Sequence, residues 1–488
     1  MHHYRRSLPV ALALSLLALT PTASSAEPTP SDPAYTARDT QNIVDAYGRV
    51  TGPGGQLQNP AYLPALTQVI GARSTAQLLT QVANPTRLAL TAGNFFPGWN
   101  AGNPLRAGWS KTRGQVKPIA FTNRYGALLR GHVWAPKGGA RDPYTGKRLR
   151  APFPGVVLTE GSIQGSEGMY EWLAQDLAER GYVVLTYDVQ GQGASETLPH
   201  ESDQAFPFCD PLASPVPGET TGCPGVPFQQ ESNFVVGTED ALSFFTSTPR
   251  TKYANPKAAG ASVTKFNPYW RLFDRSPDPT PTAPGRTTRI AVIGHSLGAS
   301  AVSRVQATDR RVATIVALDK LRSSTYKSVV PALGVQSEYG FTVAPWFASS
   351  GSSLMPSPSP SGPDPMRERA AGFDGWRDAG VDSMVIVPRA STHLEYTDIP
   401  LVLPASRHGQ ALTSVYVQRW LDRYLKDRNS AAPLLATKFR YLEPSGGDTW
   451  TPITLRREPL LSFYYCSAYS LRDAKGLHTN LDIADVGC

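Results

Sequence analysis

The sequence predicts an α/β protein with a mostly parallel central sheet, helices on both faces, loop insertions and a disulfide-bearing C-terminal tail. Short β-branched apolar runs alternate with stretches whose apolar residues recur at helical spacing, which is the pattern of strand–helix–strand units. The 44 prolines and 42 glycines indicate long loops around this regular core. A chain of 488 residues has room for one large domain with extensions, or for two domains.

The first 26 residues have the composition of a secretory signal peptide. Arg5 and Arg6 precede an apolar stretch from Leu8 to Leu19, and small residues follow up to Ala26. The apolar stretch is too short to span a bilayer, and no later segment is long enough. We therefore expect cleavage near Ala26, a secreted mature protein and no stable membrane anchor.

The remaining chain divides into three predicted parts. Residues 27–111 form a lead segment with helical patterning over 40–47 and 62–82, and its residues indicate no chemistry. Residues 112–428 form the main domain, and residues 429–488 form a C-terminal extension. The main domain opens with a hairpin over 117–122 and 127–135. Its further strands are predicted at 155–159, 182–187, 290–293, 312–318, 332–335 and 383–387, its helices at 169–179, 239–246 and 412–425, and its insertions at 198–227, 253–284 and 347–365.

The charge distribution does not favour a nucleic-acid partner. The formal net charge of +8 falls to +6 without residues 1–26, which contain two arginines and no acidic residue. Basic residues are scattered along the chain, and the densest group is Lys147–Arg150. Such a distribution is typical of a solvated surface, so we expect no nucleic acid to bind.

The four cysteines predict two disulfides, because the chain is expected to be exported. Three pairings are possible, and we favour the local one, Cys209–Cys223 and Cys466–Cys488. The cysteine and histidine spacing does not match a zinc site, so no metal is expected.

The most informative segment is Gly294-His295-Ser296-Leu297-Gly298, which directly follows the predicted strand at 290–293. A Gly-x-Ser-x-Gly turn between a strand and a helix holds its serine in a strained conformation and exposes the hydroxyl at the sheet edge. The next backbone N–H then faces a developing oxyanion. The segment predicts Ser296 as a nucleophile and Leu297 as one oxyanion donor.

A serine nucleophile needs a histidine base and an acid that orients the histidine. Only His393, His408 and His478 follow Ser296, as the triad order of this architecture requires. His393 lies just after the strand at 383–387, on the sheet edge expected for Ser296, and it is the predicted base. His408 opens the last helix, where a solvent-facing or capping role is expected.

Two residues are candidates for the acid, because Asp319 and Glu338 each follow a predicted strand that ends at the same edge. Spacing alone does not choose between them. The loop after the strand at 155–159 contains Ser162, whose N–H is the expected second oxyanion donor.

The stretch Asp188-Val189-Gln190-Gly191-Gln192-Gly193-Ala194-Ser195 resembles the D-x-x-G-x-G-x-S segment of the α/β-hydrolase superfamily. This resemblance covers about residues 112–428, the predicted catalytic domain. Gly-His-Ser-Leu-Gly, Ala-Leu-Asp and Ser-Glu-Tyr are similar to the platelet-activating-factor acetylhydrolase branch, whose triad acid is the aspartate of Ala-Leu-Asp; this implies Asp319. Cutinase-like and dienelactone-hydrolase-like branches take an acid after the next strand, so Glu338 stays the alternative. The usual His-Gly before the oxyanion loop is Glu160-Gly161 here.

These residues together predict a secreted serine hydrolase that cleaves carboxylic esters through an acyl-enzyme and needs no cofactor. The ester could belong to a small molecule, a lipid or a polymer. One alternative is an amide or peptide hydrolase with the same triad. Another is a non-catalytic hydrolase-fold protein that binds a partner.

Overall fold

The structure is a computed structural model, and it describes residues 28–83, 99–162, 165–197, 231–323, 326–346, 362–401 and 404–488. The predicted signal peptide, Cys209, Cys223 and most of the insertions at 198–227 and 347–365 lie outside these ranges. The helices are α1 Pro33–Asp45, α2 Gly48–Thr51, α3 Tyr62–Ala83, α4 Trp109–Thr112, α5 Glu171–Ala178, α6 Glu231–Phe245, α7 Leu297–Thr308, α8 Arg367–Ala370, α9 Phe373–Asp378, α10 Gly409–Leu425 and α11 Ala432–Leu435. Short 3-10 helices cover Gln56–Gln58, Pro104–Arg106, Glu167–Tyr170, His393–Tyr396 and Glu458–Leu460.

The strands are β1 Gly114–Thr122, β2 Leu128–Pro136, β3 Gly155–Thr159, β4 Val183–Tyr187, β5 Ile290–His295, β6 Thr314–Leu318, β7 Ala332–Val335, β8 Ser383–Ile386, β9 Lys438–Gly446, β10 Thr449–Arg456, β11 Ala468–Asp473 and β12 Gly476–Asn480. Ten of them form one sheet in the order β1-β2-β4-β3-β5-β6-β7-β8-β11-β12. All neighbours from β4 to β8 pair in parallel, and the pairs at both margins are antiparallel. The predicted α/β class with a mostly parallel sheet is confirmed.

Helices cover both faces of this sheet because its central strands bury side chains on both sides. In β3, Val156 packs on the face that carries α5 and α10, together with Trp172 and Trp420. Val157, the next residue, packs on the opposite face against Phe245 of α6 and the apolar side of α7. This alternation follows from the two-residue period of a strand, and it gives the protein two cores separated by the sheet.

The C-terminal extension takes part in the main sheet. β11 pairs antiparallel with β8, and β12 pairs with β11 as the outermost strand. The predicted disulfide Cys466–Cys488 is present and encloses this hairpin. β9 and β10 form a separate two-stranded sheet. None of the helices in the described ranges combines the length and apolar character needed to cross a membrane.

The carboxyl ends of the parallel strands converge at one edge of the sheet. β3 leads to Gly161 and Ser162, β5 to Ser296, β6 to Asp319, and the chain after β8 to His393. Residues that are far apart in the sequence therefore meet at this edge, where open α/β sheets bind their ligands.

Candidate active site

Ser296 stands at the turn between β5 and α7 in a strained backbone conformation. Its φ of 57° and ψ of −119° lie in a region of backbone conformation that residues other than glycine rarely adopt. Such strain costs about 1–3 kcal/mol, which the surrounding structure must offset. The Ser296 N–H donates to the carbonyl of Leu318 at 3.0 Å, which ties the turn to the end of β6.

The two glycines of the motif are required by close packing of the turn. A Cβ on Gly294 would lie 2.1 Å from the Gly298 carbonyl oxygen. A Cβ on Gly298 would lie 2.4 Å from the carbonyl oxygen of Glu160, at the end of β3. Larger residues at either position would push the helix away from the sheet, which gives the two glycines of the motif a direct steric reason.

The structure brings Ser296, His393 and Asp319 into one hydrogen-bonded chain. His393 Nε2 lies 3.0 Å from Ser296 Oγ, and His393 Nδ1 lies 2.7 Å from Asp319 Oδ2. An ionised carboxylate only accepts, so Nδ1 carries the proton and donates to Asp319. Nε2 is then free to accept the hydroxyl proton of Ser296, which is the arrangement of a nucleophile with its base.

The surroundings of Asp319 keep its carboxylate ionised. Burial alone raises the pKa of Asp319, but the hydrogen bond and charge of His393, the charge of Lys320 and the hydroxyl of Ser337 together hold it well below its ordinary value. Ser337 Oγ donates to Oδ2 at 2.6 Å. The carboxylate is therefore suited to fix the tautomer of His393 and to stabilise its protonated form.

Glu338 is also buried, but its carboxyl group faces other partners. Its Oε2 accepts from Asn42 Nδ2 at 2.5 Å and from the backbone N–H of Ala390 at 2.6 Å. Among the described residues, no hydrogen bond joins Glu338 to the His393 ring. Burial raises the pKa of Glu338 to about 7. Glu338 thus holds the loop before His393 through its hydrogen bond to the backbone of Ala390.

The other two histidines lie apart from Ser296. His478 Nε2 contacts Asp473 Oδ1 at 2.9 Å within the β11–β12 hairpin. His408 is half-buried immediately before α10, and burial lowers its pKa to about 4. Neither histidine is therefore placed to act as the partner of Ser296.

The predicted oxyanion donors belong to the two segments that meet at the serine. Leu297 opens α7 directly after Ser296, and Ser162 is buried in the loop after β3. That loop approaches closely, since a Cβ on Gly161 would lie 3.0 Å from the Ser296 Cβ. Residues 163 and 164 lie outside the described residues.

Sequence reasoning missed the residues that support the histidine loop from the lead segment. Arg49 Nη1 donates to the Thr397 carbonyl at 2.9 Å, and Nη2 donates to the Glu395 carbonyl at 2.6 Å and to its carboxylate. Asn42 Oδ1 accepts from Arg389 Nε at 3.1 Å. These partners are more than 300 positions away in the chain, so no local sequence signal marks them.

The sequence also does not mark His295 or Tyr170 as functional residues. His295 is the variable residue of the motif itself, so its position beside the serine follows from the sequence. Its two hydrogen-bond partners depend on how the loops fold, and the sequence does not indicate them.

No family model matches the sequence. An uncharacterized protein of Pseudomonas aeruginosa, PA2218, is 30% identical over 134 residues, which are 26% of this chain and 34% of that protein. The crystal structure of hypothetical protein PA2218 from Pseudomonas aeruginosa is similar with a TM-score of 0.25 at 20% identity, covering 42% of this chain and 43% of that chain. The chain thus matches about a third of the length of this curated relative, whose name states no activity.

Proposed function

We propose that the protein is a serine hydrolase of the α/β-hydrolase type that cleaves carboxylic esters. The observation that carries the proposal is the hydrogen-bonded chain from Ser296 through His393 to Asp319, with the serine in a strained strand–helix turn. A structural serine has no need of a positive φ, a histidine nitrogen within hydrogen-bond distance and a buried carboxylate behind that histidine. The three together match the requirements of an activated nucleophile.

Each residue has one role in the proposed first half-reaction. Ser296 Oγ attacks the ester carbonyl carbon while its proton passes to His393 Nε2. Asp319 holds the resulting imidazolium through Nδ1. The N–H groups of Leu297 and Ser162 stabilise the negative carbonyl oxygen. His393 then returns the proton to the alcohol leaving group, and the acyl group remains on Ser296.

The second half-reaction uses the same groups with water in place of the serine hydroxyl. His393 takes a proton from a water molecule, which attacks the acyl-enzyme and releases the carboxylic acid. The proton then returns to Ser296 Oγ. No step in this cycle requires a cofactor.

The side chains beside the serine support the proposal that the substrate carries an apolar group. Leu297 and Phe341 are partly exposed, and the Phe341 ring centroid lies 4.7 Å from that of His393. An ester with an apolar acyl or alcohol part would bury this surface on binding. An amide or peptide substrate would use the same triad, so leaving-group preference must be measured.

The proposal includes secretion. The basic and apolar composition of residues 1–26 supports an export signal, and the disulfide Cys466–Cys488 suits an oxidising compartment. N-terminal sequencing of protein taken from the medium should begin near Glu27.

Replacement of the nucleophile is the decisive experiment. Ser296→Ala should lower kcat for p-nitrophenyl esters by about 10⁴-fold or more, because only the attacking oxygen is removed. A fluorophosphonate probe should label the wild type at Ser296 and should not label the variant. Esters of graded acyl length and peptide p-nitroanilides, assayed in parallel, define the substrate class.

Ser300→Ala is the matched control, because this serine lies one turn further along α7 and bonds to Glu231 at 2.9 Å. It should keep activity and labelling. A wild-type protein that is folded but neither hydrolyses esters nor reacts with the probe would support a non-catalytic binding protein instead. Faster cleavage of anilides than of esters would favour the amide hydrolase.

A further inference from the structure

His295 connects two parts of the candidate active site. Its side chain is fully buried. Nδ1 lies 2.6 Å from the hydroxyl of Tyr170, and Nε2 lies 3.0 Å from the backbone carbonyl oxygen of His393. The rings of His295 and His393 also pack together, with centroids 4.7 Å apart.

The hydrogen-bond partners determine where each proton lies. A carbonyl oxygen only accepts, so His295 Nε2 carries a proton and donates to His393. Burial lowers the pKa of His295 to about 3, so the ring is neutral and Nδ1 is an acceptor. The Tyr170 hydroxyl must then donate to Nδ1. Its oxygen in turn accepts from the Gly161 N–H at 3.0 Å.

A directed chain therefore runs from Gly161 through Tyr170 and His295 to the backbone of His393. Its first member lies in the loop of the predicted oxyanion donor Ser162, and its last member is the predicted base. The contact at the start is tight, since a Cβ on Gly161 would lie 2.7 Å from His295 Nδ1 and 3.2 Å from the Tyr170 hydroxyl oxygen. Tyr170 itself is fully buried at the end of the 3-10 helix that follows this loop.

We infer that Tyr170 and His295 are positioning residues. They hold the loop after β3, which contains Gly161 and Ser162, at a set distance from the loop after β8, which contains His393. This inference rests on the proposed hydrolase function. The oxyanion donor and the base act on the same tetrahedral intermediate from different sides. A single rigid connection between them keeps both at the place that the transition state requires.

Loss of the connection should therefore reduce kcat and leave substrate binding nearly unchanged. Tyr170→Phe removes one oxygen atom and leaves the Gly161 N–H and His295 Nδ1 without partners. We expect its kcat for p-nitrophenyl esters to fall about 10- to 100-fold with KM within about twofold. The rate of fluorophosphonate labelling should fall in parallel, because phosphonylation of the serine uses the same donor and base.

A second variant tests the other member of the chain. His295→Gln places an amide N–H near the Nε2 position, so the bond to His393 is kept while the acceptor for Tyr170 is lost. Its kcat should fall by a similar factor. If the two residues act through one connection, the double variant should lose about as much as the worse single variant, and not the product of both losses.

Tyr182→Phe is the control for a purely structural effect. Tyr182 is buried as completely as Tyr170, and its hydroxyl donates to Asp422 at 2.8 Å, away from the three catalytic candidates. This variant should show a comparable change in melting temperature with unchanged kcat. All rates are expressed per serine titrated with the fluorophosphonate, so that unfolded protein does not count.

The outcomes separate this inference from the function on which it rests. If the wild type hydrolyses esters and Ser296→Ala does not, the function stands. If Tyr170→Phe and His295→Gln then keep wild-type kcat, or if their losses multiply in the double variant, the inference is wrong. If the wild type neither hydrolyses esters nor reacts with the probe, the proposed function itself fails.

Discussion

After β6 and β7 stand two buried carboxyl groups whose pKa values are shifted in opposite directions by their surroundings. Asp319 has His393, Lys320 and Ser337 around it, and these hold its pKa well below the ordinary value against the effect of burial. Glu338 has amide, hydroxyl and backbone donors and the more distant charge of Arg389, but no cation in hydrogen-bond contact among the described residues, and burial outweighs them and raises its pKa to about 7. Residue type is thus a poor guide to role here, and the partners decide it.

This difference predicts which carboxyl group matters for turnover. Asp319→Asn should lower kcat by roughly 10³- to 10⁴-fold, because the amide cannot stabilise the imidazolium and favours the wrong tautomer of His393. Glu338→Gln should lower kcat far less, since an amide oxygen can still accept from Asn42 and Ala390. Steady-state kinetics on both purified variants, with circular dichroism as the folding control, compares them. An inactive Glu338→Gln beside an active Asp319→Asn would transfer the acid to the later strand.

Glu338 should also impose a pH dependence on stability. In the unfolded chain this carboxyl loses its proton near pH 4.5, whereas in the folded protein it does so near pH 7. Between these values the folded state holds a proton that the unfolded state lacks, so the free energy of unfolding falls as pH rises, by on the order of 3 kcal/mol. Denaturant unfolding at pH 5 and pH 8 should show this fall in the wild type and a smaller one in Glu338→Gln. Parallel pH profiles for the two proteins would contradict it.

At the scale of elements, the lead segment holds the loop that carries His393, the proposed base. α1 contributes Asn42, which bonds to Glu338 and to Arg389 before His393. α2 contributes Arg49, which bonds to Glu395 and Thr397 after His393. The loop is therefore held on both sides by a segment whose sequence indicates no chemistry.

Loss of the Arg49 contacts should affect both stability and turnover. The side chain of Glu395 is fully buried, so Arg49→Ala leaves a carboxylate without its cation and should destabilise the fold by roughly 3 kcal/mol or more. We also expect kcat to fall at least tenfold because the loop around His393 loosens. Thermal unfolding and ester kinetics measure the two effects.

Arg73→Ala is the matched control from the same segment. Its ion pair with Glu171 lies at 3.2 Å with 46% of the arginine side chain exposed, so the change should cost less than about 1 kcal/mol and leave kcat unaltered. Equal effects of the two substitutions would show that Arg49 has no special relation to the histidine loop.

For the whole molecule, the strands and turns that follow from a local sequence pattern are predictable from the sequence. The apolar run at 290–293 followed by glycine indicated both the strand and the turn at Ser296, and the runs before Asp319 and His393 indicated their strands. The choice between Asp319 and Glu338 depends on side-chain direction at two neighbouring strand ends, which periodicity does not encode. The contacts of Asn42 and Arg49 depend on segments far apart in the sequence meeting in space. The membership of β11 in the main sheet depends on which edge lies open beside β8.

The disulfide pairing is a prediction about the whole chain. Peptide mapping without reduction should find Cys466 joined to Cys488, and Cys209 joined to Cys223 as the remaining local pair. Replacement of Cys466 and Cys488 by serine should lower the free energy of unfolding by about 3 kcal/mol, because the link closes the segment that contains β11 and β12. Peptides that join Cys209 to Cys466 or Cys488 would contradict the local pairing.

A helix from the lead segment and a loop from the C-terminal extension meet beside the segment that carries His393. The Tyr464 hydroxyl donates to Asp39 of α1 at 2.5 Å, and the Ser462 N–H donates to the Val387 carbonyl, just after β8, at 2.9 Å. During synthesis residue 39 emerges long before residue 464 exists, so these contacts cannot form until the chain extends past residue 464. We therefore expect the proposed activity to require the chain through at least residue 464: a product shortened before residue 462 lacks these contacts even though Ser296, Asp319 and His393 are all present.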